Sequence, residues 1–336
     1  MASSEALRRS DKVTRGTLVL IAALLSAFAL KYSSTVTAPL AFAFFAALVL
    51  APVRRWVAHR VPRRVRWLGV VAAVVLLLLA LAAIGGAVAL AISQASEELP
   101  KHEGRLRSAL EPVLSRAKES AGQGGTVVLK SASGAIEFLV VSVFFVVLML
   151  SEVGQWREKL LTVLNREGAA RVLDAAAATA SGLRRYLLAI TVVGLATAVL
   201  EGGFLLIMGV KLALVWALLF FILNYVPYVG SLIAAIPPVL FALATQGLQR
   251  GLLVALGIIV IEQIMGNLVA PLVEGRGTKL SPLIVLFAVT FWGWAWGAAG
   301  ALLAVPMAVA LMMLCARTPG LESVAVLLGE DARSHP

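Results

Sequence analysis

An all-α, polytopic membrane protein with re-entrant or broken helical hairpins is the fold this sequence predicts, and three observations predict it. Hydrophobic residues make up 60% of the 336-residue chain and charged residues 14%, with a mean hydropathy of +0.95. A soluble globule carries ~25% charged residues and has no interior large enough for so much apolar surface. Long apolar runs alternate with short Arg-rich loops. Two runs are broken by polar residues, Gly and Pro, at Asn224–Gly230 and Trp292–Gly300, which leaves arms shorter than the ~20 residues a helix needs to cross hydrocarbon.

The net charge of +11 does not indicate nucleic acid, because aromatics are not interleaved with the basic residues and no zinc-finger or RNA-binding pattern occurs. Cys315 is the single cysteine and forms no intrachain disulfide. His59, His102 and His335 lie far apart in polar segments, so no metal site is expected. No cofactor is expected either. No paired acids stand at catalytic spacing in adjacent spans, and the His-Glu-x-x-His, Gly-x-Ser-x-Gly and Gly-Lys-Ser/Thr patterns are missing from the sequence, so the chemistry of an enzyme or an ATP-driven pump is not expected.

In chain order, residues 1–16 are a polar, basic tail (Arg8, Arg9, Lys12, Arg15) and residues 17–316 form the transmembrane domain. Leu18 to Leu30 and Val36 to Val53 read as an uncleaved helical hairpin whose outer turn runs from Lys31 to Pro39. Arg54, Arg55, Arg60, Arg63, Arg64 and Arg66 follow, and the positive-inside rule places them in the cytoplasm with the basic tail. A third span, Trp67 to Ile92, leads to an extracytoplasmic helical insert over 93–130 whose mixed charge marks solvated faces. A fourth span, Ser133 to Leu150, returns to a cytoplasmic segment, 151–185, whose Asp174-Ala-Ala-Ala-Ala-Thr-Ala stretch favours an interfacial helix.

The fifth span, Tyr186 to Val210, contains Glu201. An ionisable group there is a candidate for proton or cation handling, with a structural hydrogen bond to a neighbouring helix as the plainer alternative. Next come two short arms, Leu212 to Leu223 and Leu232 to Ala244, around Asn224, Tyr225, Pro227, Tyr228 and Gly230. Backbone that leaves helical geometry at membrane depth has to be buried in protein or face water, so these residues are a candidate substrate pathway. The competing reading is a helix–loop–helix at the surface, with Tyr225 and Tyr228 as interfacial anchors.

The sixth span, Gly251 to Val269, carries Glu262, Gln263 and Asn267. Three polar side chains in two turns are expected to face away from lipid. Gln263 and Asn267 join the pathway candidates and Glu262 joins Glu201 as an ion-coupling candidate. Asn267 is expected to help end the helix before Pro271. After the loop Glu274 to Lys279, the arms Leu283 to Trp296 and Ala298 to Cys315 are expected to form a second hairpin turning through Gly293, Gly297 and Gly300, with Pro306 on the return. The alternative is one long kinked helix, which would place Arg317 and the tail outside. A cytoplasmic tail, 317–336, ends the chain.

Several spaced motifs in order carry a family likeness: Asn224-Tyr-Val-Pro227-Tyr228-Val-Gly230, Ile236-Pro237, Gly266-Asn267-Leu-Val-Ala-Pro271, Ser281-Pro282, and Gly297-Ala-Ala-Gly300-Ala-Leu-Leu-Ala-Val-Pro306. On these the chain resembles the AI-2E family of bacterial transporters, the autoinducer-2 exporter-like permeases. The resemblance implies a multi-pass transporter of the bacterial inner membrane without fixing the solute. The expected function is export of a small polar solute such as autoinducer-2, with energy expected from an ion gradient because no phosphate-cradling pattern occurs. Exchange of Na⁺ or Li⁺ for protons, or an oligomeric channel, is the alternative it leaves open. Members often have an acidic residue just before the Gly-Asn pair, where this chain has Met265; Glu262, three residues earlier on nearly the same face, is the expected substitute. The expected partners are membrane lipid, the solute or cation, and further copies of the chain, with no nucleic acid.

Overall fold

The computed structural model describes residues 17–18, 21–22, 24–98, 124–163, 166–226, 229–274, 280–318 and 320–329. They form helices α1 (24–32), α2 (Ser34–Arg60), α3 (Leu68–Glu98), α4 (Gly124–Val163), α5 (Arg166–Ile207) and α6 (Ala213–Leu223), followed by α7 (Val229–Gln246), α8 (Leu248–Ile264), a π-helical turn (Met265–Val269), α9 (Ala270–Glu274), α10 (Pro282–Cys315) and α11 (Glu322–Leu328). Seven of these segments are long and apolar enough to cross a membrane, while α6, at 11 residues, is not. Large apolar side chains stand exposed along them, among them Leu79, Val199, Leu232 and Phe287 at 62–66%. Together with the composition this makes the protein an all-α polytopic membrane protein.

Several elements differ from expectation. The turn anticipated over Lys31 to Pro39 shrinks to one non-helical residue, Ser33 (φ −91°, ψ 16°), and Pro39 lies inside α2. Side chains converge on the Leu30 carbonyl at this break: Thr37 Oγ1 donates to it at 3.4 Å and Trp296 Nε1 at 3.2 Å. Residues 151–185 form no separate interfacial helix. They continue α4 to Val163 and open α5 at Arg166, because the Ala-rich stretch propagates the helix straight into the fifth span. Of the insert 93–130, residues 93–98 extend α3 and 124–130 open α4, and 99–123 lie outside the described residues, as do the two terminal tails apart from 317–318 and 320–329.

Asn267 does not end the sixth span. The π turn Met265–Val269 carries the chain on into α9, which contains Pro271. Proline has no N–H to place in the ladder, and the wider turn ahead of it absorbs that mismatch.

Small residues set the helix spacing. α2, α3 and α4 pack around Ala43, Ala47, Ala73 and Val146, and the Arg54 guanidinium closes that cluster by donating to the Leu150 carbonyl. α5 is the axis of the rest. Leu205 packs with Phe220, Phe241, Val254 and Ile258 of α6–α8, and Leu183, Leu187 and Ile190 pack with both arms of α10.

Two hairpins lie along α5 and open at opposite ends. In the first, α6 and α7 run antiparallel: their far ends meet where Gln246 Nε2 donates to Gly209 O at 2.8 Å, just past Ile207. In the second, α10 doubles back at Gly297, so its two ends converge beside α11, where Ser281 N donates to Leu328 O at 3.1 Å. That base lies at the other end of α5, where Arg317 Nη1 donates to Thr179 Oγ1 at 3.1 Å.

Candidate functional site

The tip of the first hairpin rests on α5. Asn224 caps α6, and its side-chain amide donates to the Ile190 carbonyl at 3.1 Å. A Cβ on Gly194 would fall 2.7 Å from Asn224 Nδ2, so a residue without a side chain is what lets the tip seat there. Next to it the Tyr225 hydroxyl lies 2.7 Å from Thr191 Oγ1. Because Thr191 spends its own proton on Leu187 O at 2.7 Å, the tyrosine is the donor of this pair. Gly230 completes the reversal; a Cβ there would lie 1.9 Å from Leu223 O. Pro227 and Tyr228 lie outside the described residues. Seventeen residues of α5 separate Ile190 from Ile207, which at 1.5 Å per residue puts the tip about 25 Å along the helix from the hairpin's open end, most of a ~30 Å hydrocarbon layer.

The second hairpin turns differently. Gly297 has φ 64° and ψ −143°, a combination that glycine alone adopts readily. The arms then close to contact, so that a Cβ on Gly300 would sit 1.9 Å from Trp292 O, whereas Gly293 has ordinary clearance. Pro306 is buried on the returning arm. Aromatic rings fix the tip: Trp292 and Trp296 centroids lie 4.4 Å apart, Trp296 Nε1 donates to Leu30 O at 3.2 Å, and Lys31 Nζ stands 4.2 Å over the Trp294 ring. Tyr225 packs against the cluster that holds the arms of α10, so the two hairpins share one wall of α5.

Further along α5 lies Glu201, wholly buried, both of whose carboxyl oxygens have no hydrogen-bond partner. The plainer alternative for this residue, a structural hydrogen bond to a neighbouring helix, therefore does not hold among the described residues. Glu262 of α8 lies within electrostatic range of it and is half-buried. The crossing that brings them together is tight. A Cβ on Gly257 would lie 2.0 Å from the Phe204 ring, and one on Gly202 would lie 2.8 Å from Ala217 Cβ.

Gln263 and Asn267 do not join this group or the hairpin tip. Both are exposed, and Asn267 Nδ2 donates to Gln263 Oε1, an i,i+4 pair that satisfies each amide on an outward face. Gly266 beside them meets only open space. The expectation that these polar side chains turn inward is thus corrected for two of the three. A crevice of about 760 Å³ between α3, α5 and α6 is lined almost wholly by apolar side chains, with Gln94, Glu97 and Lys211 as its polar members, and is separate from the carboxyl pair.

The family model for AI-2E family transporters matches residues 18–320. The chain belongs to the AI-2E transporter family. It is 31% identical over 321 residues to the AI-2 transport protein TqsA of Escherichia coli K12, covering 90% of this chain and 91% of that one. It is also 31% identical over 312 residues to the E. coli K12 protein called "Putative transport protein YhhT", covering 86% and 87%. A transport protein so described from Haemophilus influenzae is 35% identical over 207 residues, 60% of this chain and 59% of its own.

Within this AI-2E chain, Met265 opens the π turn with 3% of its surface exposed, so an apolar side chain faces inward at the position before the Gly266-Asn267 pair. The carboxyls stand one turn away, on Glu262, and across the crossing, on Glu201. Sequence reasoning missed Ile190 and Thr191 as the seat of the hairpin tip. A signal was present: Thr191, Gly194, Ala198 and Glu201 recur at helical spacing along one side of α5, a stripe of small and polar residues in an apolar span.

Proposed function

We propose that this transporter exports a small polar solute of the autoinducer-2 class across the bacterial cytoplasmic membrane, driven by an ion gradient. The observation that carries the reading is the α6–α7 tip, a non-helical, polar turn seated on α5 about 25 Å from the hairpin's open end, where irregular backbone is tolerated only against protein or a water-lined path. Asn224 and Tyr225 are the side chains a polyol-like solute would meet, and opening would exchange their bonds to Ile190 and Thr191 for bonds to the solute. The name of the E. coli relative TqsA, an AI-2 transport protein, supports the solute class.

The Arg-rich stretch 54–66 and the pair Arg184–Arg185 support a topology with both termini in the cytoplasm. A second reading, Na⁺ or Li⁺ exchange for protons, is favoured by the unpartnered carboxyl of Glu201. The experiment is a flux panel in proteoliposomes containing the full chain: autoinducer-2, Na⁺ and Li⁺, each with and without a pH gradient. Saturable autoinducer-2 flux that follows the gradient is the expected result. Cation flux without autoinducer-2 flux selects the second reading, and single-channel currents overturn both.

A further inference from the structure

A carboxylate taken out of water with no partner is destabilised by several kcal/mol, and two carboxyls in electrostatic range of each other resist ionising together. Glu201 meets both conditions, since its oxygens are fully buried and unbonded and Glu262 is its charged neighbour. Among the described residues no compensating cation is placed at this level of α5. The sequences of α6 and α7 contain no ionisable group, and α10 contains only Cys315. α8 offers Glu262 itself and, near its opposite end, Arg250; α9 offers Glu274. Lys211 belongs to the turn after α5, Glu137 of α4 is exposed, and the ionisable residues of α2 (Arg54, Arg55, His59, Arg60) occupy its last turns near the Leu150 carbonyl, at the Arg184 end of α5. Tyr225 lies at the hairpin tip, beside Thr191.

The walls are also dry. Glu201 is flanked on α5 by the buried Ala198 and Leu205, Leu205 packs in one cluster with Ile258 of α8, and the nearby Thr197 hydroxyl is already committed to Val193 O at 3.0 Å. A metal cation of hard character needs a shell of oxygens, whereas a proton needs one oxygen. Glu262 is half-buried and stands beside the exposed Gln263, which pairs with Asn267, so its carboxyl has open surface and polar neighbours that Glu201 lacks.

Building on the transporter reading, we propose that Glu201 and Glu262 form one proton-carrying site, in which Glu262 passes a proton between water and Glu201, and the state of Glu201 couples solute movement to a pH gradient. Glu262 first takes a proton from water. In the transfer one O–H bond then breaks at Glu262 as one forms at Glu201, which leaves the pair's total charge unchanged, and the reverse transfer followed by loss of the proton from Glu262 to water returns the pair to its starting state.

The test uses the full chain in liposomes with two readouts. Infrared difference spectra between acidic and alkaline buffer follow the C=O stretch of a protonated carboxyl in a dry setting. The wild type is expected to show such a band, E201Q to lose it, E262Q to change the pH at which it titrates, and E137Q, at an exposed carboxyl, to keep it. Autoinducer-2 flux under an imposed pH gradient is expected to fall about tenfold or more in E201Q, with thermal unfolding unchanged because glutamine matches the protonated acid in shape. A band that survives in E201Q overturns the proposal, and a band that shifts with Na⁺ or Li⁺ at constant pH overturns it in favour of a metal cation. If the band behaves as expected but the wild type moves no autoinducer-2, the solute reading fails and the proton site stands. Gradient-driven flux indifferent to both substitutions sinks the site and leaves the transporter.

Discussion

The two hairpins do the same thing to the chain and are held in place by opposite means. The tip of α6–α7 is attached to α5 by two side-chain hydrogen bonds, Asn224 to Ile190 and Tyr225 to Thr191. Each is worth about 0.5–1.5 kcal/mol net, because water or a polar solute can replace it. The tip of α10 is fixed by a backbone conformation reserved for glycine, by arms in contact at Gly300, by the tilted Trp292–Trp296 pair and by Lys31 over the neighbouring Trp294 ring. Little of that is replaceable by a solute. The contrast teaches which tip is free to move: that of the first hairpin can leave its seat on α5 at small cost while its arms stay packed, and the second is frame.

The comparison breaks hardest at the turns. Gly300→Ala and Gly230→Ala each put a Cβ 1.9 Å from a backbone carbonyl, which cannot step aside as a side chain can. Each is expected to cost about 3 kcal/mol or more, read as lost thermal stability in detergent and poor yield of monodisperse protein. Gly297→Ala is next, at about 1–3 kcal/mol from backbone strain alone, since its Cβ would meet open space. Should Gly297→Ala be neutral, the second hairpin is not the rigid one.

Gly194→Ala sharpens the comparison from the other side. Its Cβ meets only the amide of Asn224, so it is expected to cost about 1 kcal/mol of stability while lowering autoinducer-2 flux by a larger factor. Equal loss in stability and flux would argue that the tip is merely packing. The smallest effect belongs to Tyr225→Phe, at about 1 kcal/mol or less. Thr191→Val is expected to cost about the same, and the double variant no more than either, because both remove the same bond. Additive costs in that cycle would show that the hydrogen bond does not hold the tip.

Much of the architecture was legible in the sequence, and the reason is local. Gly and Pro interrupting apolar runs marked both hairpins, since no continuous membrane helix accommodates Asn224 to Gly230 or the Gly297 turn without help. What was not legible depended on continuity or on contact across the fold. Hydropathy falls at 151–185 whether the helix bends into the interface or runs on, and here it runs on. Pro271 read as a stop because the compensating π turn leaves no mark in composition. Gln263 and Asn267 read as inward-facing because each amide was considered alone, whereas their spacing lets them satisfy each other on an outward face. Glu201 and Glu262 were each conspicuous in an apolar span, but 61 positions separate them and only the antiparallel crossing at Phe204 and Gly257 brings them within range.

One dimension of α5 reaches past the bilayer. Its 42 residues make a rod of about 63 Å, roughly twice the hydrocarbon thickness, with the hairpin seat at Ile190–Thr191 near mid-length and Glu201 toward one extremity. Such a rod behaves as a stiff axle: a push or twist on the half beyond Arg184 is delivered to the seat without loss in an intervening joint. A ligand that grips only that half, which is itself packed at Ala169 and Thr179, would therefore bear on the latch from a distance, by leverage alone.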